Sequence, residues 1–144
     1  MEIAGLFKFA RNLKIAYDAQ FKEMCEKRHM AQNAVYILLF LANNPEYNTA
    51  KDISKLCLIK PSLISFHVDN LVKDGYIKRE RDENDRRKIY LECTKKADDI
   101  INEGKQIQNQ FLDKVSEGLT PELRQSYREI SNIIEANVQR IKEE

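Results

Sequence analysis

Most of the chain has apolar residues at three- and four-residue spacing, the repeat of a helix with one buried face. Residues 3 to about 28 show this spacing and predict one long amphipathic helix. Residues 34–41 are apolar on most sides and end before Pro45, which predicts a shorter, central helix. The inward positions expected in the first helix are Leu6, Ala10, Leu13, Tyr17, Phe21 and Met24.

Two short helices are predicted in the middle of the chain. Thr49 followed by Asp52 forms a capping box at the start of one helix, and Pro61 suits the first turn of the next. The second helix runs to Asp74 and stops at Gly75, a residue that readily adopts the left-handed conformation. The positions expected to face inward are Ile53, Leu56, Cys57, Ile64, Val68 and Leu71. This order predicts a helix-turn-helix.

The segment 76–94 has a different repeat. Apolar residues alternate with polar ones at Ile89, Leu91 and Cys93, and an earlier short run begins at Tyr76. The loop between the two runs is charged, with six basic and four acidic residues between positions 78 and 88. The pattern predicts a β-hairpin that carries arginines at its tip, the wing of a winged helix-turn-helix.

Two long helices are predicted after the hairpin. Thr94 is the expected cap of the first and Gly118 marks its end, and Thr120 with Pro121 opens the second. A winged domain of about 60 residues is too small to cover their apolar stripes, which predicts a symmetric dimer. The alternative is a monomeric bundle that folds back on the winged domain. The stripe of the last helix comprises Leu123, Tyr127, Ile130, Ile134, Val138 and Ile141.

Composition narrows the class of protein. The chain has 144 residues, a formal net charge of +1, 42% hydrophobic residues and 33% charged residues, as expected for a soluble helical protein. The small net charge argues against a protein that coats nucleic acid without specificity. The sequence shows neither a membrane span nor a signal peptide, so we expect a cytoplasmic location. Three widely spaced cysteines predict no structural disulfide.

The hairpin resembles that of the MarR family of bacterial transcription regulators, whose wing carries an Asp-Arg-Arg signature before an alternating strand and a helix that starts at Thr. The signature here is residues 85–87, and the Thr is Thr94. The resemblance implies a mainly α fold with a small β-wing, in which long terminal helices form a dimerisation domain. The expected division is an N-terminal dimerisation helix (1–30), a winged helix-turn-helix (31–93) and C-terminal dimerisation helices (94–144).

The candidate DNA-binding residues lie on the second helix of the motif and at the tip of the wing. We expect Arg86 and Arg87 to enter a minor groove, and the resemblance favours Arg87 for that contact. Asp85 is expected to hold one of these arginines in a salt bridge. Asp69 is expected to accept from cytosine, to orient a neighbour or to remain solvated. The full set is Lys60, Ser62, Ser65, Phe66, Asp69, Asp85, Arg86 and Arg87.

Phe66 departs from the family pattern, because family members usually carry a basic residue on this face of the recognition helix. Phe66 can touch a thymine methyl group, but it cannot read guanine with two hydrogen bonds. Two interpretations stay open, in which the ring either faces the DNA or turns inward to pack. The target sequences of the family therefore do not transfer to this chain.

An effector pocket and a redox site are further expectations. Relatives often bind small aromatic or phenolic anions between the dimer helices and the winged domain, although an aromatic stripe at helical spacing is more often ordinary core. Cys25 lies where some relatives keep an oxidant-sensing thiol, although a packing role is the simpler interpretation. The sequence suggests no cofactor, and Cys25 with His29 makes a poor metal site. The expected pocket residues are Phe9, Arg11, Tyr17, Phe21, Tyr36 and Phe40.

Two functions remain at this stage. The first is a dimeric repressor that reads palindromic double-stranded DNA and is released by a small molecule or an oxidant. The second is a winged-helix module that binds a protein and no longer binds DNA. An enzyme is disfavoured, since the chain has no glycine-rich phosphate loop and no histidine paired with a nucleophile.

Overall fold

The computed structural model describes residues 2–57 and 59–144. These residues form two compact units, the first ending at Phe111 and the second spanning Leu112–Glu144, and each is described by itself. The first unit is mostly helical with one two-stranded antiparallel sheet. The elements are α1 (Ile3–Gln20), α2 (Lys22–Arg28), α3 (Gln32–Asn43), α4 (Ala50–Leu56), α5 (Pro61–Lys73), β1 (Ile77–Arg81), β2 (Ile89–Cys93), α6 (Asp98–Val115) and α7 (Pro121–Glu143). None of the described helices combines the length and apolarity needed to cross a membrane.

The predicted first helix is wrong in one respect, because it is two helices that meet at Phe21. The N–H of Phe21 donates to the carbonyl of Asp18 at 3.2 Å, which tightens the last turn of α1. Gln32 of α3 also donates to that carbonyl, at 2.6 Å. The Phe21 ring is fully buried at the break, whereas the predicted inward residues Leu6 and Leu13 are exposed. The chain thus interrupts the helix at the point where the Phe21 ring is buried in the core.

Helix α3 is the centre of the first unit, as its apolar sequence predicts. Its side chains dominate the core, and α5 and β2 pack against it. Helix α6 approaches closely at Gly104, where an added Cβ would lie 2.8 Å from a Cδ atom of Leu39. The buried residues of α3 are Ala34, Val35, Ile37, Leu38, Leu39 and Leu41.

Helices α4 and α5 form the predicted helix-turn-helix. The capping box is present, since Asp52 N–H donates to Thr49 Oγ1 at 3.1 Å and Thr49 N–H donates to Asp52 at 3.1 Å. Ile53 is fully buried, but Leu56 is exposed, contrary to expectation, because the chain becomes extended at Cys57 and α4 ends there. On α5 the three expected residues are buried, namely Ile64, Val68 and Leu71.

The wing is an antiparallel hairpin in which Ile77 pairs with Cys93 and Arg81 with Ile89. Its root is held from two sides. The N–H of Leu91 donates to the carbonyl of Asn48 at 2.7 Å, in the loop before α4. Thr94 was expected to cap a helix, but its hydroxyl donates to the carbonyl of Gly75 at 2.6 Å and a short 3-10 turn follows. The hydroxyl therefore closes the hairpin, and Gly75 adopts the expected positive φ of 83°.

The second unit consists mainly of α7. Thr120 caps it as predicted, accepting from the N–H of Leu123 at 3.3 Å. Helix α7 contains no buried residue. All the residues of its predicted apolar stripe are exposed, together with Ile133. The helix thus presents an apolar face that the chain itself does not cover.

We expect Gly104→Ala to lower the free energy of unfolding by about 1–2 kcal/mol. The new methyl group would overlap the side chain of Leu39, which is buried and would have to repack, and we expect this cost to exceed the gain in helix propensity. Urea denaturation at a fixed protein concentration measures the change. Gly5→Ala is the matched control, because a Cβ there meets nothing within 4 Å. Equal stabilisation by both substitutions would contradict the close approach.

Candidate nucleic-acid interface

The exposed face of α5 carries the predicted helix residues. Ser62, Ser65, Phe66 and Asp69 are exposed, and Lys60 precedes the first turn as its N-cap residue. Phe66 is 59% exposed, so the outward interpretation is the one the structure supports. His67 is buried at the edge of the core, and this burial lowers its pKa. The opposite side of α5 packs into the core, and the exposed face is accessible to a partner.

The tip of the wing is organised by Asp82. Its carboxylate accepts from the backbone N–H groups of Asn84 and Asp85 at 2.8 and 3.2 Å and from the Tyr90 hydroxyl at 2.6 Å. These hydrogen bonds, with that of Tyr90 the strongest, hold the pKa of Asp82 below its usual range. The same contact raises the pKa of Tyr90. The loop is therefore shaped before any partner binds.

Asp85 acts differently from the prediction. Its carboxylate accepts the backbone N–H of Arg87 at 3.0 Å and makes no salt bridge with an arginine of the described chain. An aspartate can readily accept from a backbone N–H two residues ahead in a tight turn. The guanidinium groups of Arg86 and Arg87 have no ion-pair partner within residues 2–57 and 59–144, so both remain available to an anion.

Sequence reasoning missed an ion pair between the wing and the recognition helix. Arg79 Nη2 of β1 donates to Asp69 Oδ1 of α5. Arg79 shares its face of the strand with Ile77, which is buried, and pairs with Leu91. Because the side chains of a strand alternate between its two faces, Arg79 lies on the same face as Ile77, and this alternation was the signal in the sequence that Arg79 faces α5. Of the three expectations for Asp69, the orientation of a neighbour is the one that the structure supports.

A groove of about 680 Å³ lies between the wing and α4. Two lysines of α4, Lys51 and Lys55, face it together with Arg87 and Lys88 of the wing. Their spacing of four residues on a helix was the signal that the two lysines share a face. Acidic residues also line the groove, and the full set is Glu46, Tyr47, Thr49, Ala50, Lys51, Asp52, Lys55, Asp85, Arg87, Lys88 and Ile89.

A second cavity, of about 270 Å³, contains part of the predicted effector set. Tyr17, Tyr36 and Phe40 line it, and Phe21 lies within the core against both tyrosine rings. The other two predicted residues, Phe9 and Arg11, are exposed and do not line this cavity. The complete lining is Lys14, Tyr17, Asn33, Tyr36, Leu39, Phe40, Asn43, Asn44, Cys57, Ile59 and Gln108.

The cation of this cavity is Lys14, one helical turn beyond the predicted Arg11. Its ammonium group binds both carboxylate oxygens of Asp18, at 2.5 and 2.6 Å, and lies 5.3 Å from the centre of the Tyr36 ring. Asp18 also accepts from the Tyr36 hydroxyl at 2.6 Å. The carboxylate of Asp18 therefore neutralises the charge of Lys14.

Both cavity tyrosines stay protonated at neutral pH. Burial raises the pKa of Tyr17 and that of Tyr36, and the hydrogen bond to Asp18 raises the latter further. Gln108 donates to the Tyr17 oxygen at 2.8 Å and accepts from Asn43 at 3.2 Å. The Tyr17 proton meets no acceptor in the described part of the chain, so it remains a donor for a ligand.

The cysteines have the environment of packing residues. Burial raises the pKa of Cys25 and of Cys57, and burial with nearby acids raises the pKa of Cys93 to about 11. A raised pKa disfavours the reactive thiolate. Across residues 2–57 and 59–144, no three His, Cys, Asp or Glu side chains are grouped as a metal site would require.

Comparison with known proteins assigns the family. Residues 30–88, which contain the helix-turn-helix and most of the wing, match the model described as the MarR family. Over these residues the chain matches the MarR family. It is 24% identical to the homoprotocatechuate degradative operon repressor of Escherichia coli over 119 residues, which cover 77% of this chain and 78% of that protein.

Solved structures of transcription regulators share the fold. A MarR protein from Peptoclostridium difficile superposes with a TM-score of 0.79 at 16% identity, covering 97% of this chain and 91% of that one. An organohalide-sensing transcriptional regulator in its 2,4-dichlorophenol-bound form gives a TM-score of 0.66 at 16% identity, with coverages of 95% and 82%. The match to the MarR family supports a DNA-binding transcription regulator rather than an enzyme.

We expect Tyr90→Phe to loosen the wing tip while changing the melting temperature little. The variant removes the hydroxyl that donates to Asp82, and both residues lie at the surface. Hydrogen exchange of the amides of residues 82–88 should become faster. Tyr127→Phe in α7 is the matched control, since Tyr127 is 67% exposed. Unchanged wing protection in Tyr90→Phe would contradict this role of Asp82.

The same contact predicts a pH dependence. Because the pKa of Asp82 is lower in the folded wing than in the unfolded chain, its stabilising contribution is complete above the ordinary carboxyl pKa. The contribution is lost as the pH falls through the lowered value. Wing protection, corrected for the intrinsic exchange rate, should therefore decrease in acid more in the wild type than in Tyr90→Phe.

Proposed function

We propose that this protein is a cytoplasmic, dimeric repressor that reads a palindromic operator and is released by a small aromatic ligand. The proposal rests on two features that occur together: an exposed recognition face on α5, and a preshaped wing whose tip arginines have no ion-pair partner among the described residues. A recognition helix fits the major groove, and a wing arginine fits a narrow minor groove of negative potential. The two elements together can read one half-site.

The uncovered apolar faces support a dimer. Helix α7 exposes its whole apolar stripe, and α1 exposes several large side chains. Burying one such side chain contributes about 1.5–3 kcal/mol, so a second copy of the chain has much to gain by covering them. A two-fold dimer would present two recognition helices to half-sites about one helical turn apart. The exposed residues of α1 include Ile3, Leu6, Phe7, Phe9, Leu13 and Ile15.

The cavity of the first unit supports an effector site. Its volume of about 270 Å³ lies below the range of about 300–1,000 Å³ typical for drug-sized ligands, which suits a single-ring compound. The rings of Tyr17, Tyr36 and Phe40 would pack against the ligand, and the Tyr17 hydroxyl would donate to it. The dichlorophenol in the organohalide-sensing neighbour and the name of the E. coli repressor favour the phenolic class. An anionic ligand would draw Lys14 away from Asp18.

Release follows from the position of this cavity. Hydrogen bonds across it join α1 to α3 through Tyr36 and Asp18, and join α6 to both through Gln108. A ligand that binds better when these helices are displaced would shift the recognition helices away from operator spacing. Differential affinity for the two arrangements would then supply the free energy of release.

We expect Arg87→Ala to weaken operator binding about 10- to 100-fold, the loss typical of one specific groove contact of about 1–3 kcal/mol. Fluorescence anisotropy would compare the DNA upstream of the protein's own gene with an unrelated duplex over a salt series. Lys22→Ala on α2 is a charge-matched control. Sedimentation should show the same oligomeric state for all three proteins. Unchanged affinity in Arg87→Ala would contradict the role of the wing.

The same titration tests the alternative function. A module that binds a protein instead of DNA would show no salt-dependent affinity for either duplex. The exposed ring of Phe66 is the observation that favours such a partner. Specific binding that survives moderate salt would exclude this alternative.

We expect salicylate and phenol to raise the melting temperature of the wild type and to weaken its operator complex. A ligand at 100 times its Kd stabilises the state it binds by about 2.7 kcal/mol. Lys14→Ala should lose more affinity for salicylate than for phenol, because only the anion needs the cation. Lys8→Ala, on the same helix and outside the cavity lining, is the control. No heat of binding and no thermal shift with either compound would contradict the site.

A further inference from the structure

The ion pair between Asp69 and Arg79 joins the two elements that face DNA. Asp69 lies on the same face of α5 as Ser62, Ser65 and Phe66, at spacings of seven, four and three residues. Arg79 reaches this face from the neighbouring strand β1. Its guanidinium group is thus placed over the recognition helix although it belongs to the wing.

This pair contributes little to folding. The side chains of Arg79 and Asp69 are 40% and 66% exposed, and ion pairs this open to solvent contribute little to stability. Removing either residue should therefore leave the fold intact. A role at the interface explains the arrangement better than a role in stability.

The recognition face needs a cation from elsewhere. Between Lys60 at its N-cap and Lys73 in its last turn, α5 carries no lysine or arginine, and Phe66 occupies a central exposed position. Asp69 alone would repel the phosphates on either side of a major groove. Paired with Arg79, its charge is compensated, and a donor is delivered to the same place.

We infer that Arg79 is a DNA contact that donates to a backbone phosphate beside the major groove, and that Asp69 is a positioning residue that holds the guanidinium there. The inference rests on the proposed operator binding. Guanidinium carries five N–H donors in a fixed fork, and the contact with Asp69 occupies Nη2. The remaining nitrogens form no hydrogen bond with residues 2–57 or 59–144, so they can bind phosphate while the ion pair persists.

The effect of Asp69 distinguishes three roles. If Asp69 positions Arg79, Asp69→Ala lowers affinity, and the loss disappears when Arg79 is already alanine. If Asp69 is only a repulsive acid, Asp69→Ala raises affinity. If Asp69 itself accepts from a cytosine amino group, its removal lowers affinity for the operator alone, with or without Arg79. A double-mutant cycle separates these outcomes.

The experiment uses the full-length protein and anisotropy titrations against the operator and an unrelated duplex. We expect Arg79→Ala to lower affinity about tenfold for both duplexes, because a phosphate contact carries no sequence information. The slope of log K against log salt should fall in magnitude by about 0.9, the value of one lost phosphate contact. Asp69→Ala should lose less than Arg79→Ala, and the double variant should match Arg79→Ala.

Lys78→Ala is the matched control. Lys78 is the preceding residue of β1, lies on the opposite face of the strand and is within 3.4 and 3.6 Å of Glu80 and Glu92. It should leave the affinity and the salt slope nearly unchanged, and the melting temperatures of all variants should stay close to that of the wild type. Arg79→Lys should recover part of the affinity, since it restores the charge without the fork.

Several results would overturn the inference. These are an unchanged salt slope in Arg79→Ala, an equal loss in Lys78→Ala, a loss confined to the operator, or a gain of affinity in Asp69→Ala. Failure of the wild type to bind either duplex would instead refute the proposed function. The two failures are therefore distinguishable within one set of titrations.

Discussion

Burial of α3 is the constraint on which the first unit depends. Six of its twelve residues are buried, so other elements must cover it on several sides. Helix α5 and strand β2 do so directly, and α6 comes so close at Gly104 that an added Cβ would lie 2.8 Å from a Cδ atom of Leu39. Helix α1 is attached through the bond from Tyr36 to Asp18. Helix α5, the wing and the cavity lined by Tyr17 and Tyr36 therefore all pack around α3.

Local hydrogen bonds shape the candidate DNA-binding surface. Asp82 and Asp85 both use their carboxylates to bind backbone N–H groups of the wing loop, and in the described part of the chain the tip arginines have no acidic partner. Asp69 instead binds a guanidinium, that of Arg79. The net charge of the chain is only +1, but its charges are unevenly distributed. These acidic residues can therefore shape and orient a basic surface without neutralising it.

Features governed by neighbouring residues in sequence could be predicted. The capping box at Thr49, the first-turn Pro61 and the left-handed Gly75 each follow from a local rule, and all three are present. Features that depend on distant contacts could not. The break at Phe21 requires the ring to enter a core built by α3, and Thr94 is diverted from capping by the carbonyl of Gly75.

The side-chain partners at the candidate sites were the hardest to predict. Lys14 and Arg11 lie on the same helix, and only the packing of α1 against α3 decides that Lys14 faces the cavity.

The footprint of the protein on DNA tests the central claim most directly. Hydroxyl-radical footprinting on the DNA upstream of the protein's own gene should show two symmetric protected half-sites about one helical turn apart. Protection of a single half-site, or none, would contradict a dimer that reads DNA with paired helices and wings.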